Sequence, residues 1–202
     1  MKQVFELSEL DSVDRYKLLS GLIVPRPIGW IGTRSADGID NLAPFSFFNM
    51  VAGTPPTVLF APDMAVRIKD TLANVLSTGV FTISVVSEDL ASAMNATSAT
   101  VAPETDEFDL ADITKVEAVV VDAPMVGEAR ANLECVVTHV HEVGPGPAVS
   151  VVFGEVRLVH AVDGILDGTR IQFTELEAVG RMAGAWYSRS TDLFAMERPD
   201  DR

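Results

Sequence analysis

The segment ANLECVVTHVHEVGPGPAVSVVFGEVRLVHAV, residues 131–162, decides the fold class of this chain. Its two halves are rich in β-branched residues, which favour strands, and the sequence Gly-Pro-Gly-Pro separates them. We therefore predict that the segment forms a long β-hairpin. Gly154 lies inside the second strand, where a glycine indicates a bulge or a close backbone approach.

Outward from the hairpin, only turns and short helices separate the other predicted strands. These strands are PRPIGWIGTRS (25–35), PPTVLFAP (55–62), VFTISVV (80–86) and KVEAVVV (115–121). The predicted helices are DSVDRYKLLSGLI (11–23, with Ser12 as N-cap), RIKDTLANVLSTG (67–79, ending at Gly79) and SEDLASAMNATSA (87–99, with Ser87 as N-cap). Because alternating β-α-β units are missing, the pattern excludes a doubly wound sheet and favours a barrel or sandwich.

The segment NLAPFSFFNM, residues 41–50, fits no simple secondary-structure template. Three phenylalanines and a methionine surround Pro44, Ser46 and Asn49, so the segment shows neither the alternation of a half-buried strand nor the stripe of a helix. Pro44 lacks an N–H group and is not expected at a central paired strand position. For each phenylalanine, core packing is the alternative to a contact with a ligand.

Composition and charge limit the function. The chain has 202 residues, of which 48 % are hydrophobic and 22 % charged, which indicates one globular domain. No signal peptide or membrane-spanning run is recognised. The single cysteine, Cys135, excludes a disulfide within the chain and a multi-cysteine metal site. We expect Cys135 to be buried and the protein to be cytoplasmic.

The net charge of −14 is unevenly distributed. Residues 1–83 contain seven Lys or Arg and eight Asp or Glu, whereas residues 84–202 contain eight Lys or Arg and 21 Asp or Glu. A chain this acidic is not expected to bind nucleic acid. An anionic ligand would need local cations and backbone N–H groups, and we expect them in the near-neutral first part.

Motifs of hydrolases and nucleotide-binding loops are absent from the sequence. It contains no G-x-S-x-G, no H-E-x-x-H and no Walker A segment. His139 and His141 share one face of a predicted strand, but no nearby carboxylate or cysteine completes a metal site, and we expect none. The acidic segment TDEFD, residues 105–109, is interpreted as a solvated surface loop.

Three polar clusters are candidates for ligand binding. In RIKDT, residues 67–71, two cations precede a predicted helix start, whose N–H groups and dipole favour an anion. Arg67 or Lys69 would supply charge to a phosphate, and Thr71 a hydroxyl. An ordinary capped helix with surface cations is the alternative, and the residues alone leave both open. The other two clusters are GTRS (32–35) and MNATSA (94–99).

These motifs resemble those of the flavin reductase-like, FMN-binding split-barrel family in order and spacing. The matching segments are RPIGWIGTRSADGIDNLAPFSFFNM (26–50), PPTVLF (55–60), KDTLANV (69–75), FTISVVSEDLASAMNATSA (81–99), DEFDLA (106–111), GEVRLVH (154–160) and VGRMAGAWYSRSTDLFAMERP (179–199). The resemblance implies a mainly β fold, a six-stranded antiparallel Greek-key split barrel with flanking short helices. It implies one such domain over residues 1–202, with a helical extension at 1–20 and an irregular tail at 176–202.

The resemblance also implies cofactor, partners and activity. The family forms homodimers that hold FMN, with FAD as the alternative, near the subunit interface, and hydride passes from NAD(P)H to the flavin. That chemistry belongs to the cofactor, so no catalytic side chain is predicted. A monooxygenase component that receives reduced flavin is a further expected partner.

Residues matching the family's cofactor contacts are spread along the chain. The segment around Ser46 is expected beside the isoalloxazine and ribityl groups, and the segment around Lys69 at the phosphate. The predicted cofactor-binding residues are Thr33, Ser46, Phe47, Phe48, Asn49, Arg67, Lys69, Asp70, Thr71, Asn95, Arg181 and Tyr187, with Gly184 beside the last two.

One departure from the family concerns the electron donor. Many flavin reductases of this fold carry Gly-Asp-His on a late strand, where the histidine helps to place the nicotinamide. Here Gly154-Glu155-Val156 stands in that place, and His160 follows too late to replace it. The resemblance leads us to interpret the protein as an NAD(P)H-dependent flavin oxidoreductase. Because this histidine is missing, an FMN-binding electron carrier without steady NAD(P)H turnover is the alternative. A barrel that has lost flavin is a third hypothesis, which the intact polar clusters disfavour.

Overall fold

The computed structural model describes residues 1–62, 70–144 and 149–199, so that the predicted phosphate contacts Arg67 and Lys69 lie outside the described residues. The helices are α1 (Ser12–Leu22), α2 (Asp70–Thr78), α3 (Ala91–Ala96), α4 (Glu107–Leu110) and α5 (Phe173–Leu176). The strands are β1 (Arg26–Pro27), β2 (Gly29–Arg34), β3 (Asp40–Phe45), β4 (Phe48–Gly53), β5 (Pro56–Phe60), β6 (Val80–Val85), β7 (Lys115–Glu117), β8 (Pro124–Val126), β9 (Ala131–Val143), β10 (Val149–Ala161), β11 (Leu166–Asp167), β12 (Arg170–Ile171), β13 (Val179–Arg181) and β14 (Tyr187–Arg189). Short 3-10 turns lie at Leu7–Glu9, Glu88–Leu90 and Asp163–Ile165.

The predicted long hairpin is confirmed and lies in the middle of the main sheet. β9 and β10 have 13 residues each and pair antiparallel, with register shifts at Phe153/Gly154 and Val156/Leu158. The shift at Phe153/Gly154 confirms the predicted bulge, and what approaches Gly154 closely is a side chain and not backbone, since an added Cβ there would lie 2.4 Å from Cζ of Phe81. The strand order is β3-β2-β6-β9-β10-β5-β4, and every neighbouring pair is antiparallel.

The two edge strands of this sheet follow one another in the chain. β3 ends at Phe45 and β4 begins at Phe48, so that Ser46 and Phe47 alone connect opposite edges. Because an extended residue spans only about 3.3 Å, the sheet must roll until its edges nearly meet. The ring of Phe48 accordingly reaches β2, where an added Cβ on Gly29 would lie 2.9 Å from it. The mainly β, antiparallel barrel class is confirmed, although the main sheet has seven strands in the described part of the chain instead of six.

The aromatic segment 41–50 contains the two-residue crossing of Ser46 and Phe47, which we call the seam of the barrel. It is extended on both sides of the two-residue crossing, whereas no strand template matched it in the sequence. The segment shows no regular alternation of apolar and polar residues because the chain crosses from one sheet edge to the other. The side chains that are buried change at this crossing. Pro44 lies in β3, which among the described strands pairs with β2 alone, and an edge strand is where a sheet tolerates proline.

The apolar core lies on both faces of β2. Trp30 and Ile31 are fully buried neighbours on opposite faces, as strand geometry requires. Ile31 packs inside the barrel with Phe60 and Phe81, and α2 adds Leu72 there. The residues packed with Trp30 on the other face include Ile28, Leu42, Leu90, Met94, Phe108 and Val126. Cys135 is buried in the interior cluster, as predicted, and burial raises the pKa of its thiol to about 12.

Helix boundaries differ from the sequence expectation at their beginnings. Asp11, and not Ser12, caps α1, because its carboxylate accepts the N–H of Asp14 at 2.8 Å. Ser87 precedes a 3-10 turn instead of a long helix, and its hydroxyl bonds to Asp89. The predicted stop of α2 is confirmed, since Gly79 has a positive φ of 73°.

The C-terminal part contains more regular structure than an irregular tail. β13 and β14 pair with each other, and β13 pairs with β1, in a separate three-stranded sheet. Residues 190–199 contain no helix or strand and expose Leu193, Phe194 and Met196. Among the described residues, no helix has the length and apolar character that crossing a membrane requires.

We expect the Gly154→Ala substitution to lower the free energy of unfolding by about 2 kcal/mol, because its methyl group would collide with the buried ring of Phe81. Urea denaturation followed by circular dichroism measures this loss. Gly164→Ala is the matched control, since an added Cβ there meets no atom within 4 Å. Equal stability of the two variants would contradict this packing.

Candidate functional site

A continuous groove runs along β3 from the start of α2 to β14. Its first end is lined by Asn41, Asp70, Thr71, Glu107 and residues 97–101. Its middle is lined by Tyr16, Ile28, Pro44, Ser46, Met94, Asn95, Ser98, Arg181 and Tyr187. Its far end is lined by Ala91, Ser92, Asn95, Arg181, Gly184, Ala185 and Tyr187. Pro44 and Ser98 border the first two parts, and Asn95, Arg181 and Tyr187 the last two, so the three parts form one site.

A buried polar network fixes the first end of the groove. The amide of Asn41 donates to the hydroxyls of Thr71 at 3.0 Å and Thr33 at 3.2 Å, and Asn74 donates to Thr33 at 3.0 Å. These bonds join the start of α2 to β2 and β3. Thr33 is fully buried behind the groove. It therefore supports the residues that line the site instead of lining it.

A buried carboxyl group also lies at this end. Glu107 is 5 % exposed, and its Oε2 accepts the backbone N–H of Leu42 at 3.0 Å. Burial raises the pKa of Glu107, and the nearby charges of Asp70 and Asp106 act in the same direction. The prediction of a solvated loop at 105–109 was wrong for Glu107 and Phe108. Both lie in α4 and are buried, because this helix packs on β3.

The guanidinium of Arg34 is not available to a ligand in the groove. It bonds to the carboxylates of Asp40 at 2.7 Å, Glu117 at 2.8 Å and Asp122 at 2.6 Å. Asp40 in turn pairs with Lys115 at 2.8 Å. This cluster ties the β2–β3 turn to β7, so the polarity of GTRS is largely structural.

A cation held without a carboxylate lies at the far end. The guanidinium of Arg181 lies 4.6 Å from the centre of the Tyr187 ring and donates to the Tyr187 hydroxyl and to the carbonyl of Gly184. The Tyr187 hydroxyl donates to Oδ1 of Asn95 at 3.4 Å. Within the described ranges, no carboxylate forms an ion pair with Arg181. The β13–β14 hairpin thus presents a positive charge and an aromatic ring to the groove.

The structure brings together half of the predicted site residues. Those lining the groove are Ser46, Asp70, Thr71, Asn95, Arg181 and Tyr187, with Gly184. Phe47 is 42 % exposed beside Tyr16, Phe48 packs against the barrel interior, and the Asn49 side chain accepts the N–H of Met50. The groove also contains residues that sequence reasoning missed or did not assign, namely Tyr16, Asn41, Ser98 and Glu107.

His160 is engaged elsewhere. Its Nε2 lies 2.7 Å from Oε1 of Glu134, a fully buried carboxylate that also accepts the N–H groups of Val119, Val120 and Val121. Burial by itself would raise the pKa of Glu134, but the hydrogen bonds from Val119, His160 and the neighbouring backbone hold it below its ordinary value. His160 therefore supports a loop and does not line the groove.

The donor set of the groove consists of hydroxyls, amides, one guanidinium and carboxyl groups. In the parts of the chain that the structure describes, no three or more His, Cys, Asp or Glu side chains form a cluster that could hold a metal ion. The arrangement suits an elongated ligand that is polar at one end and planar at the other.

Known proteins match most of the chain. The model of the "Flavin reductase like domain" family matches residues 20–175, which is more than half of the chain. A protein of Aquifex aeolicus is 38 % identical over 189 residues, covering 92 % of this chain and 95 % of its own.

Two solved structures have nearly the same fold. Nitrilotriacetate monooxygenase component B from Bacillus cereus superposes with a TM-score of 0.94 at 31 % identity, covering 97 % of this chain and 99 % of its own. The 2-nitrobenzoate 2-nitroreductase NbaA of Pseudomonas fluorescens superposes with a TM-score of 0.90 at 26 % identity, covering 98 % and 97 %.

We expect Glu134→Gln to lower the free energy of unfolding at neutral pH by about 3 kcal/mol, because an amide replaces a charged acceptor of several buried hydrogen bonds. The pKa of Glu134 is lowered on folding, so the wild-type advantage is complete above the unfolded pKa near 4.5 and declines as the pH falls through the folded value. Urea denaturation of both proteins across this pH range measures it.

The exposed Glu104→Gln is the control and should leave stability unchanged. A Glu134→Gln deficit that stays constant down to the most acidic pH at which both proteins fold would contradict the role given to its charge.

Proposed function

The chain belongs to the flavin reductase-like family, and on this basis we propose that it is an oxidoreductase that binds FMN in the groove and receives hydride from NAD(P)H. The observation that carries the proposal is the groove itself. It connects the start of a helix, with a hydroxyl and an amide at its floor, to a guanidinium that forms no ion pair with a carboxylate of the described residues and to an aromatic ring at its far end. When bound, the flavin supplies the hydride-accepting chemistry.

The first end of the groove fits a phosphate group. Thr71 lies in the first turn of α2, where backbone N–H groups and the helix dipole favour an anion. Asn41 donates to the Thr71 hydroxyl and so orients it. Burial raises the pKa of Glu107 at this end, and its Oε2 is turned to the backbone N–H of Leu42 at 3.0 Å.

The middle and far end fit a ribityl chain and a planar ring. Ser46, Asn95 and Ser98 supply hydroxyl and amide groups along the middle. Tyr187 and Arg181 form a flat, positively charged surface beyond them. These residues would bind and orient the cofactor, with FAD as the alternative flavin. No side-chain acid or base is required of them, because hydride transfer to a flavin is the cofactor's chemistry.

A specific observation favours a second candidate function. Gly154 is packed against Phe81, Glu155 lies 3.6 Å from Arg157, and His160 is bound to Glu134. The strand that carries a nicotinamide-placing histidine in many relatives therefore offers none here. An FMN-binding electron carrier without steady NAD(P)H turnover is the alternative.

We propose that the protein acts as a homodimer through the face formed by α1 and β4. α1 exposes Tyr16 and Leu19, the crossing and β4 expose Phe47, Met50 and Val51, and the rings of Tyr16 and Phe47 lie 6.5 Å apart. Among the described strands β4 lies at an edge of the main sheet, where backbone groups are open to another chain, and large exposed apolar patches mark interaction sites. Tyr16 also lines the groove, so a second copy on this face would border the flavin.

The physiological setting follows from the relatives. The likeness to a monooxygenase component B supports a monooxygenase as the partner that consumes reduced flavin. The single buried Cys135 suits the reducing cytoplasm, where we propose that the protein acts.

We expect the wild-type protein to bind FMN, and Thr71→Ala to weaken FMN binding by about tenfold, which corresponds to about 1.4 kcal/mol. Riboflavin, which lacks the phosphate, should bind both proteins equally. Fluorescence titration of each flavin measures the dissociation constants. Thr78→Ala, at the other end of α2, is the control, and Thr71→Ser should restore binding.

Wild-type protein that takes up no flavin would contradict the proposed function. Equal weakening of FMN and riboflavin by Thr71→Ala would contradict the phosphate placement alone.

We expect NADH or NADPH to bleach the visible absorbance of the bound flavin under anaerobic conditions. Dithionite is the control that shows the flavin to be reducible. Stopped-flow absorbance measures the rate with each nicotinamide. Bleaching by dithionite without reduction by either nicotinamide would exclude the reductase and leave the electron carrier.

A further inference from the structure

Arg26 is a buried cation that lies behind the wall of the groove. It is 7 % exposed. Its Nη1 donates to the carbonyls of Ser20 at 2.6 Å and Ile23 at 2.7 Å, and its Nη2 donates to the carbonyl of Met182 at 2.7 Å. Its Nε lies 3.5 Å from the hydroxyl of Ser46, and its guanidinium lies 5.9 Å from the centre of the Phe47 ring.

The charge of Arg26 is balanced without a carboxylate in the part of the chain that the structure describes. Ser20 and Ile23 belong to the C-terminal end of α1, where the helix leaves carbonyls without helical partners and carries the negative end of its dipole. A planar guanidinium with five donors can reach several such acceptors at once, whereas an ammonium group acts as a single compact charge. The site is therefore specific for arginine.

The three segments that meet at Arg26 each contribute a residue to the groove. α1 contributes Tyr16, the seam contributes Ser46, and β13 contributes Arg181, which directly precedes Met182. β1 and β13 pair in the register Arg26 with Arg181. These segments come from distant parts of the sequence, and no other side chain among the described residues hydrogen-bonds to all three of them.

We propose that Arg26 is a positioning residue for the middle and far end of the groove, where the ribityl chain and the ring would lie. By holding the end of α1, the seam and the end of β13 together, it sets the distances between Tyr16, Ser46 and Arg181. It does not touch the ligand, since it does not line the groove. The inference rests on the proposed flavin function, and it assigns to Arg26 an effect on the middle and far end and none on the phosphate end.

The test is a pair of double-mutant cycles read as dissociation constants for FMN and riboflavin. Arg26→Met should weaken both flavins by the same factor, about tenfold or more. Combined with Arg181→Met, the loss should be much smaller than the product of the two single losses, because Arg26 acts partly through Arg181. Combined with Thr71→Ala, the FMN losses should multiply, because the two residues act at opposite ends.

Two further variants separate positioning from general destabilisation. Arg170→Met, at an exposed position on β12, removes an arginine remote from the groove and should leave binding unchanged. Arg26→Lys keeps the charge and should restore only part of the affinity. The visible circular dichroism of the bound flavin should change in Arg26→Met and not in Arg170→Met, because it reports the environment of the ring.

Each outcome decides the matter. Wild-type protein that binds neither flavin overturns the proposed function and this inference with it. Two results overturn only the positioning role, given that the wild type binds flavin. In the first, Arg26→Met leaves the dissociation constants unchanged. In the second, the double variant Arg26→Met/Arg181→Met loses affinity by the full product of the two single losses. Should Arg26→Met fail to fold, Arg26→Lys takes its place in both cycles, and the same criteria apply.

Discussion

The short crossing between β3 and β4 is the constraint on which the rest of the structure depends. Two residues join the opposite edges of a seven-stranded sheet, so the sheet must roll into a barrel with a seam at Ser46 and Phe47. The long hairpin supplies the strands that make such a roll possible, with its bulges adding local bends. The groove runs along β3 as far as the seam, and the segments that meet at the seam line the middle part of the groove.

The seam also explains where the molecule is polar and where it is apolar. β3 carries the amide of Asn41, which bonds to the hydroxyls of Thr33 on β2 and Thr71 on α2 in a buried network. β4, on the other side of the seam, is an edge strand with exposed Met50 and Val51. The ligand site and the proposed dimer face are therefore neighbours, since the first lies along β3 and the second along β4, on either side of the same crossing.

Many cations of the described residues are paired with carboxylates. In the described part of this acidic chain, six Lys or Arg side chains form ion pairs with Asp or Glu, namely Lys17, Arg34, Lys115, Arg130, Arg157 and Arg189. Arg26 and Arg181 instead use carbonyls, hydroxyls and aromatic rings. Both lie at the groove, one behind its wall and one in it. Two cations thus lie at the groove of a protein whose net charge is −14.

The sequence by itself determined the hairpin at 131–162, the bulge at Gly154, the stop of α2 at Gly79 and the family, because strand propensity, glycine geometry and motif order are local properties. It also pointed to Thr71, Asn95 and Arg181, which share the groove. Only the tertiary structure decided that Thr33 is a buried support, that Arg34 is held by three carboxylates and that Glu107 is buried. It alone brought Tyr16, Ser46 and Arg181 together around Arg26. Burial and partner identity depend on which distant segments meet, and that meeting follows from the rolling of the sheet, which no local pattern contains.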